Sequence, residues 1–580
     1  MIFLITDEKK NILPDVTVSE AGQTEDGAAL LVIHAPNAHG TVHFEWAEPM
    51  LDHVSVWHPT CGRGRNLPQW FHAQRTDACF YRGAPVLATV RADGKIHRTI
   101  ALEDGVIGSS LGYYVDDFSE NDTVVFTADL RNVPAGYRAL LRIDKTPKPL
   151  NDALGGVWRW WTERAERAVP VPEDAFAPLY STWYSYHQTP SQAALTEELK
   201  LAADMGFRTV ILDDGWQIEG AGTKDYLKSG DWVPAADKFP DFAGFVKDVH
   251  SFGQKLILWF AVPFAGFQTQ AFRRFRDKLL REEKGYINAG ILDVRYREVR
   301  DAIIGTYVRF IREYDIDGLK LDFIDSFNES PDTPPFNDKM DARTVTDAVK
   351  LLLDGICAAA LALKPDFLFE YRQFYVGPEI MRYGNLLRVC DCAFDAVTNR
   401  IGIADLRMMT RDIAVHSDML LWSPEESAEN CALQLVNILF GVPQISVRLA
   451  EIGEEQHKLL KAHIKYREEN RNVLLHGCFG VQHPELGYTA LWAERDGKKI
   501  AALYGETAWR PEAKNEDIFN AAGGESIVLV NEKGSPLRIT VFNCFGEETH
   551  AFTSSAPAIP VDVPVGGRVN VRRQAQEAQT

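Results

Sequence analysis

The chain has no C-x-x-C pair and no phosphate-binding G-K-[ST] loop. Its eight cysteines are scattered, so neither a redox motif nor a zinc knuckle is legible. Cys390-Asp391-Cys392 comes nearest to a motif, and on a strand its two thiols would share one face as small buried groups. His187, His250 and His416 stand alone, so no metal and no cofactor are expected. Positive charge is also short: 62 Lys and Arg face 81 Asp and Glu, a net of −19. Such a surface repels phosphate backbones, which argues against nucleic acid as a partner. No apolar run is long enough for a membrane span; the richest stretch, 255–266, contains a proline. The opening residues carry only a short apolar run, without the basic start and small-residue cleavage site of an export signal. A cytoplasmic protein with reduced thiols is the expectation, with homo-oligomerisation left open.

What is present is an ordinary globular composition, 46% hydrophobic and 25% charged, with aromatics at 11%. Three regimes follow one another. Residues 1–172 hold short apolar runs between turn residues, such as 29–34, 41–46, 85–91 and 122–128, which predict a β-sandwich. Residues 473–580 repeat that texture in 487–492, 499–504, 525–530 and 537–542, and end in a polar tail from Arg572 that should fray. Between them, over 173–472, short strands alternate with helices about eight times. The strands are placed at 179–186, 209–212, 255–261, 318–323, 367–371, 387–391, 419–422 and 444–447. Helices include 191–205, 296–314, 344–363, 403–415 and 428–440. Eight such units are the arithmetic of a (β/α)8 TIM barrel, an α/β fold whose chemistry sits at the C-terminal ends of its strands.

Those ends are rich in acids. Strand two runs into Asp213-Asp214-Gly-Trp216; strand three carries Trp259; strand four carries Lys320, Asp322 and Asp325. Strand five offers Glu370, Arg372 and Gln373, and strand six offers Arg388 and Asp391, with Asp395 beyond. One aspartate after a strand is usually a helix cap. Acids delivered by four strands to one rim are a different matter. Lys320 and Asp322, two apart, both point inward, and a carboxylate beside a lysine stays ionised, as a nucleophile must. An acidic rim with aromatic platforms points to glycoside chemistry, in which two carboxyl groups flank the scissile bond.

Taken in order, Leu212-Asp-Asp-Gly-Trp, Gly230-Asp-Trp with Lys238-Phe-Pro, Leu258-Trp259, Leu292-Asp-Val with Glu298-Val-Arg-Asp, and Lys320-Leu-Asp322 resemble the barrel of glycoside hydrolase family 36. That is the α-galactosidase family, related to the melibiases and raffinose synthases. The resemblance implies a retaining double displacement on oligosaccharides, with Asp322 as nucleophile. It places the acid/base after strand six, where Asp391 is the first choice and Asp395 the reserve, and where a raised pKa is expected. Asp213 and Asp214 match the acidic pair that receives sugar hydroxyls, Trp259 a stacking tryptophan and Lys320 the substrate-binding lysine. Trp216, Arg372 and Arg388 join them as implied sugar contacts. The sequence departs from the family at two loops. Ala261-Val-Pro-Phe replaces an E-P-E segment after strand three, and Glu370-Tyr-Arg-Gln-Phe-Tyr replaces a glycine-rich loop after strand five, so Arg372 or Gln373 stands where the 2-substituent of the sugar would be read.

Overall fold

The computed structural model describes residues 1–580 except 73, 165 and 574–580. Of the tail expected to fray from Arg572, Arg572 and Arg573 instead close the strand Arg568–Arg573, paired with Arg538 and Leu537, and the rest lies outside the described residues. The centre is an eight-stranded parallel barrel: β1 Leu179–Ser181, β2 Thr209–Leu212, β3 Lys255–Ala261, β4 Gly318–Asp322, β5 Leu368–Arg372, β6 Leu386–Arg388, β7 Ala414–His416 and β8 Gln444–Ile445. β8 pairs with β1, and isolated parallel bridges His416 to Val442 and Leu420 to Ile445 bring β7 round to β8.

Alternation along each strand sorts the interior into layers. The lower layer is apolar, built from Leu179, Ile211, Ile257, Leu368, Leu386, Ala414 and Val442. Gly318 completes it because a Cβ there would stand 2.8 Å from both Ile257 and the Leu368 carbonyl oxygen. Two residues further along the same strands the interior turns charged, with Lys320, Glu370 and Arg388 all buried.

Four of the expected strands, β2 to β5, lie within one residue of the observed ones, whereas β1 stops at Ser181 and Trp183–Tyr186 is helical. Two differ in ways that matter. β7 is Ala414–His416, not 419–422, and the residues read as the end of a helix form it: the preceding helix is Ala396–Met409. Only three residues pair in β7, so the more apolar Met419–Trp422 outweighs them in the sequence. Trp422 is instead buried beside the last barrel helix, its indole donating to Gln456 Oε1 at 3.1 Å. β6 ends at Arg388, not Asp391, because side chains take over the ladder. The Cys390 amide donates to Gln373 Oε1 at 3.2 Å and the Cys392 amide to Asp418 Oδ2 at 2.7 Å. Asp391 therefore sits on a loop.

Before the barrel, a five-stranded and a six-stranded antiparallel sheet pack over a core that includes Phe44, Trp46, Tyr113 and Phe126. After it, helix Glu454–His476 runs past the expected boundary at 472 into a seven-stranded sheet beginning at Cys478, with a three-stranded sheet beside it. Two pairings there are parallel, Lys498–Leu503 with Asn515–Asn520 and Ala508–Trp509 with Ser526–Val530. Between β3 and β4 a three-stranded antiparallel sheet, Phe264–Gly266, Leu279–Glu283 and Ala289–Leu292, stands over the rim.

One buried carboxylate ties all three parts together. Asp405, on the helix Ala396–Met409, receives both oxygens' worth of Arg65 at 3.0 and 2.9 Å and the Trp57 indole at 2.8 Å. Tyr488, from beyond the barrel, donates to the same carboxylate, and Arg65 also reaches the Pro484 carbonyl at 3.2 Å. Removing one partner of a buried pair strands the other charge, at a cost of about 3–5 kcal/mol. Asp405→Ala should therefore lower the melting temperature sharply in differential scanning calorimetry, and adding Arg65→Ala should recover part of the loss. An unchanged melting temperature would show that this knot does not hold the parts together.

Candidate active site

The rim of β2, β4, β5 and β6 carries one connected set of charges. Lys320 Nζ donates to Asp213 Oδ2 at 2.6 Å and lies 3.9 Å from Glu370 Oε1. Arg388 Nε lies 3.6 Å from that same oxygen, and its Nη1 serves both Asp391 Oδ1, at 2.8 Å, and Asp418. Gln444 Nε2, from β8, donates to Glu370 Oε2 at 2.7 Å. Signs alternate from Asp213 to Asp418, so each buried charge has an opposite neighbour. Burial works against the Lys320 ammonium, but Asp213, Glu370 and Asp322 together outweigh it and lift the pKa above that of an ordinary lysine. Burial dominates at Glu370 and Asp418, raising both against the pull of their cationic neighbours.

Asp322 closes β4. Its Oδ1 accepts the Phe323 amide at 2.8 Å and faces Arg372 Nε at 3.2 Å; its Oδ2 accepts the Trp259 indole at 3.1 Å. Phe323 has φ +62°, a left-handed conformation strained for an aromatic residue, and this turn points its N–H back at the carboxylate. Phe323 is held there by Tyr226 and Phe264, with ring centroids 4.9 and 4.7 Å away. Arg372 crosses the Phe323 ring and bonds Asp325 at 3.1 Å, so β5 and the turn after β4 fix the carboxylate between them.

Asp214 is buried and accepts Gln188 Nε2 at 2.6 Å and Gln217 Nε2 at 2.8 Å. Burial pushes its pKa up to about 6, and those two amides resist only in part. The Asp213 backbone amide donates to the Thr182 hydroxyl oxygen at 3.0 Å.

Several expected assignments move. Trp216 is fully buried, its indole spent on the Trp259 carbonyl at 3.1 Å and its ring packed on Trp232, Phe242, Phe260 and Phe310. It is core, with no face for a sugar. Asp395 caps the helix Ala396–Met409 by accepting the Thr398 amide at 3.0 Å, and it pairs with Arg63. It is therefore a structural cap and no reserve acid. Gln373 is used at both ends, on the Pro59 carbonyl at 3.3 Å and the Cys390 amide. The expected raised pKa at Asp391 is reversed: Arg388 holds this carboxyl, with its side chain 57% exposed, below the ordinary range. Asp418 and Tyr184, whose hydroxyl donates to Asp418 at 2.8 Å, belong to the site and were missed. The misplaced β7 hid Asp418. Tyr184 was legible as one of the aromatic cluster Trp183-Tyr-Ser-Tyr just after β1.

A family model described as Melibiase matches residues 178–477, more than half of the chain. The chain belongs to the Melibiase family. Among individual relatives, alpha-galactosidase 2 of Pediococcus pentosaceus is 26% identical over 149 residues, which are 25% of this chain and 20% of that protein. Alpha-galactosidase AgaA of Geobacillus stearothermophilus is 25% identical over 199 residues, 33% of this chain and 26% of its own length. The chain thus aligns with only about a quarter or less of these curated relatives. Solved structures match it much further. An AgaA variant in complex with raffinose superposes with a TM-score of 0.67 at 15% identity, covering 99% of this chain and 89% of that one. The alpha-galactosidase of Lactobacillus brevis gives 0.64 at 14%, covering 100% and 88%. At such identities the likeness shows the fold: a melibiase-type barrel between two β-regions.

Asp214 gives this melibiase-family rim its clearest test. Between pH 4 and 6 the unfolded aspartate is ionised while the folded one is protonated, so folding takes up a proton and stability falls as pH rises through that window. Asp214→Asn removes the group. Relative to wild type its stability should rise between pH 4 and 6 and stay level above, by up to about 3 kcal/mol. If the carboxylate receives sugar hydroxyls, kcat/KM should meanwhile drop by about two powers of ten or more, a loss of ~3 kcal/mol. Unchanged kinetics with a lower melting temperature would make Asp214 a loop anchor for Gln188 and Gln217 only.

Proposed function

We propose that the chain is a retaining α-glycoside hydrolase of the α-galactosidase type, acting on terminal α-linked galactose of oligosaccharides. The observation that carries this reading is Asp322, fixed by the Phe323 amide, the Trp259 indole and Arg372 beside a buried Lys320. Raffinose and stachyose, bound in variants of AgaA, support an oligosaccharide as the substrate here. The eight unpaired cysteines accord with a cytoplasmic, reducing setting; among the described residues no helix is long and apolar enough to cross a membrane.

In the first step an Asp322 oxygen attacks the anomeric carbon as the glycosidic bond breaks, and Asp391 gives its proton to the leaving oxygen. In the second, Asp391 takes a proton from water, whose oxygen displaces Asp322 and restores the original configuration. Asp213 and Asp214 receive hydroxyls of the bound sugar, which is oriented by Lys320 and faced by Trp259. Asp391 must carry a proton to act, and Arg388 opposes this. Arg388 keeps Asp418 as a second partner, so Asp391 can be protonated without stranding the guanidinium. Arg372, standing on the nucleophile where the family's glycine-rich loop would be, favours a sugar with a different 2-substituent as the second reading of specificity.

Asp322→Ala should abolish hydrolysis of nitrophenyl α-galactoside with the fold intact by circular dichroism, and azide should then yield the β-galactosyl azide. Near-normal turnover would remove Asp322 from the mechanism.

Asp391→Ala should lose activity on oligosaccharides while still releasing dinitrophenol from an activated glycoside, which needs little protonation. Arg388→Gln removes the cation beside Asp391, so the basic limb of kcat/KM should move to higher pH. Arg388→Lys, which keeps the charge, should leave that limb nearer its wild-type place. A limb that ignores both substitutions would place the proton elsewhere.

A further inference from the structure

Far from the barrel rim, three residues of the N-terminal sandwich meet across its two sheets. His53 and His97 lie on strands of the six-stranded sheet and Asp122 on a strand of the five-stranded one. One donor atom from each lies within 4.8 Å of the other two. The imidazole centroids of His53 and His97 are 3.9 Å apart. His53 and Asp122 are buried, and His97 is half-buried and gives a way in from solvent.

The cluster is incompletely satisfied. His53 Nδ1 meets Tyr113 Oη at 2.9 Å and Asp122 Oδ2 at 3.0 Å, while its Nε2 is buried without a partner. Asp122 Oδ2 also accepts Arg98 at 2.8 Å and the Tyr113 hydroxyl at 3.3 Å, whereas Oδ1 is buried and bare. Orphaned buried acceptors are costly, and a native site that keeps several together needs a reason.

We propose that His53, His97 and Asp122 form a structural site for a divalent transition cation of the zinc type. Two imidazoles and a carboxylate are a zinc donor set, completed by water in the fourth position. Ligand atoms around such an ion stand roughly 3.3–3.6 Å apart, given bond lengths of about 2.0–2.2 Å. Side-chain movements on the order of an ångström therefore close the cluster. Arg98 donates to Asp122 Oδ2 and also meets His97 Nδ1 at 3.3 Å, and Tyr113 meets both His53 Nδ1 and Asp122 Oδ2, so the two act as outer partners of the three ligands. The Arg98 charge, which would oppose a cation, is answered by Glu48 at 3.5 Å, which itself meets Lys145 at 2.8 Å. The ion would join the two sheets of the sandwich. The residues lie far apart in sequence, so no ligand spacing announces them.

The test uses the full chain purified without a metal-affinity step and stripped with a chelator. Zinc chloride should bind at one equivalent by calorimetry and raise the melting temperature by several degrees. Cobalt(II) should give the intense visible bands of a four-coordinate site. His97→Ala, at a half-exposed position, should fold and weaken zinc binding by at least about a hundredfold, as should His53→Ala. Zinc and the chelator leaving the melting temperature of wild type unchanged, with no stoichiometric uptake, would overturn the proposal and leave water as the partner of these atoms. Equal zinc uptake by wild type and both variants would also overturn it, placing the ion elsewhere.

Discussion

The alternating run of charge through the upper barrel, Asp213–Lys320–Glu370–Arg388 with Asp391 and Asp418, is the constraint on which the rest depends. A buried ion is tolerable only when paired, and breaking one pair costs several kcal/mol. Here each cation answers more than one carboxylate: Lys320 lies between Asp213 and Glu370, and Arg388 meets Glu370, Asp391 and Asp418. Strand geometry makes this possible. Trp259, Lys320 and Glu370 are register partners on β3, β4 and β5, and the next inward position on β4 is Asp322. The position of the carboxylate is thus inherited from the pairing of three strands and from a strained turn at Phe323.

The same run explains why the two catalytic candidates differ. Asp322 is clamped from three sides and largely withdrawn from solvent, its side chain 13% exposed. Asp391 sits on a loop with one strong partner, Arg388, and more than half of its side chain exposed. A nucleophile benefits from fixed aim and retained charge; an acid/base must gain and lose a proton. The loop is itself fixed by amides donating to Gln373 and Asp418, so β5, β6 and β7 jointly decide where Asp391 stands.

The barrel was legible because its strands are short apolar runs between helices, and β2 and β3 match residue for residue. The motif Asp213-Asp214-Gly-Trp216 puts both acids at the barrel rim, where they lie, but also the tryptophan, which is buried, since nothing local distinguishes an indole turned into the core from one turned to the cleft. Asp391 reads as the last residue of a strand that in fact stops three residues earlier, at Arg388, because the ladder ends where side chains replace backbone partners, a tertiary event. Asp418 went unseen because β7 has only three pairing residues and a buried His416 bonded to the Ala175 carbonyl at 2.7 Å. Asp395 read as an acid at the rim and is a helix cap, the commoner fate of an aspartate after a strand. Long-range knots, such as Asp405 with Arg65, Trp57 and Tyr488, leave no local pattern at all.

The proposed mechanism stands on a covalent bond between Asp322 and the sugar. Incubation with an activated, slowly hydrolysed fluorinated α-galactoside, followed by digestion and mass spectrometry, reads that bond directly. One added glycosyl unit per chain is expected, on the peptide that contains Lys320-Leu-Asp322. A label on any other carboxylate, or turnover with inversion and no label, would contradict it.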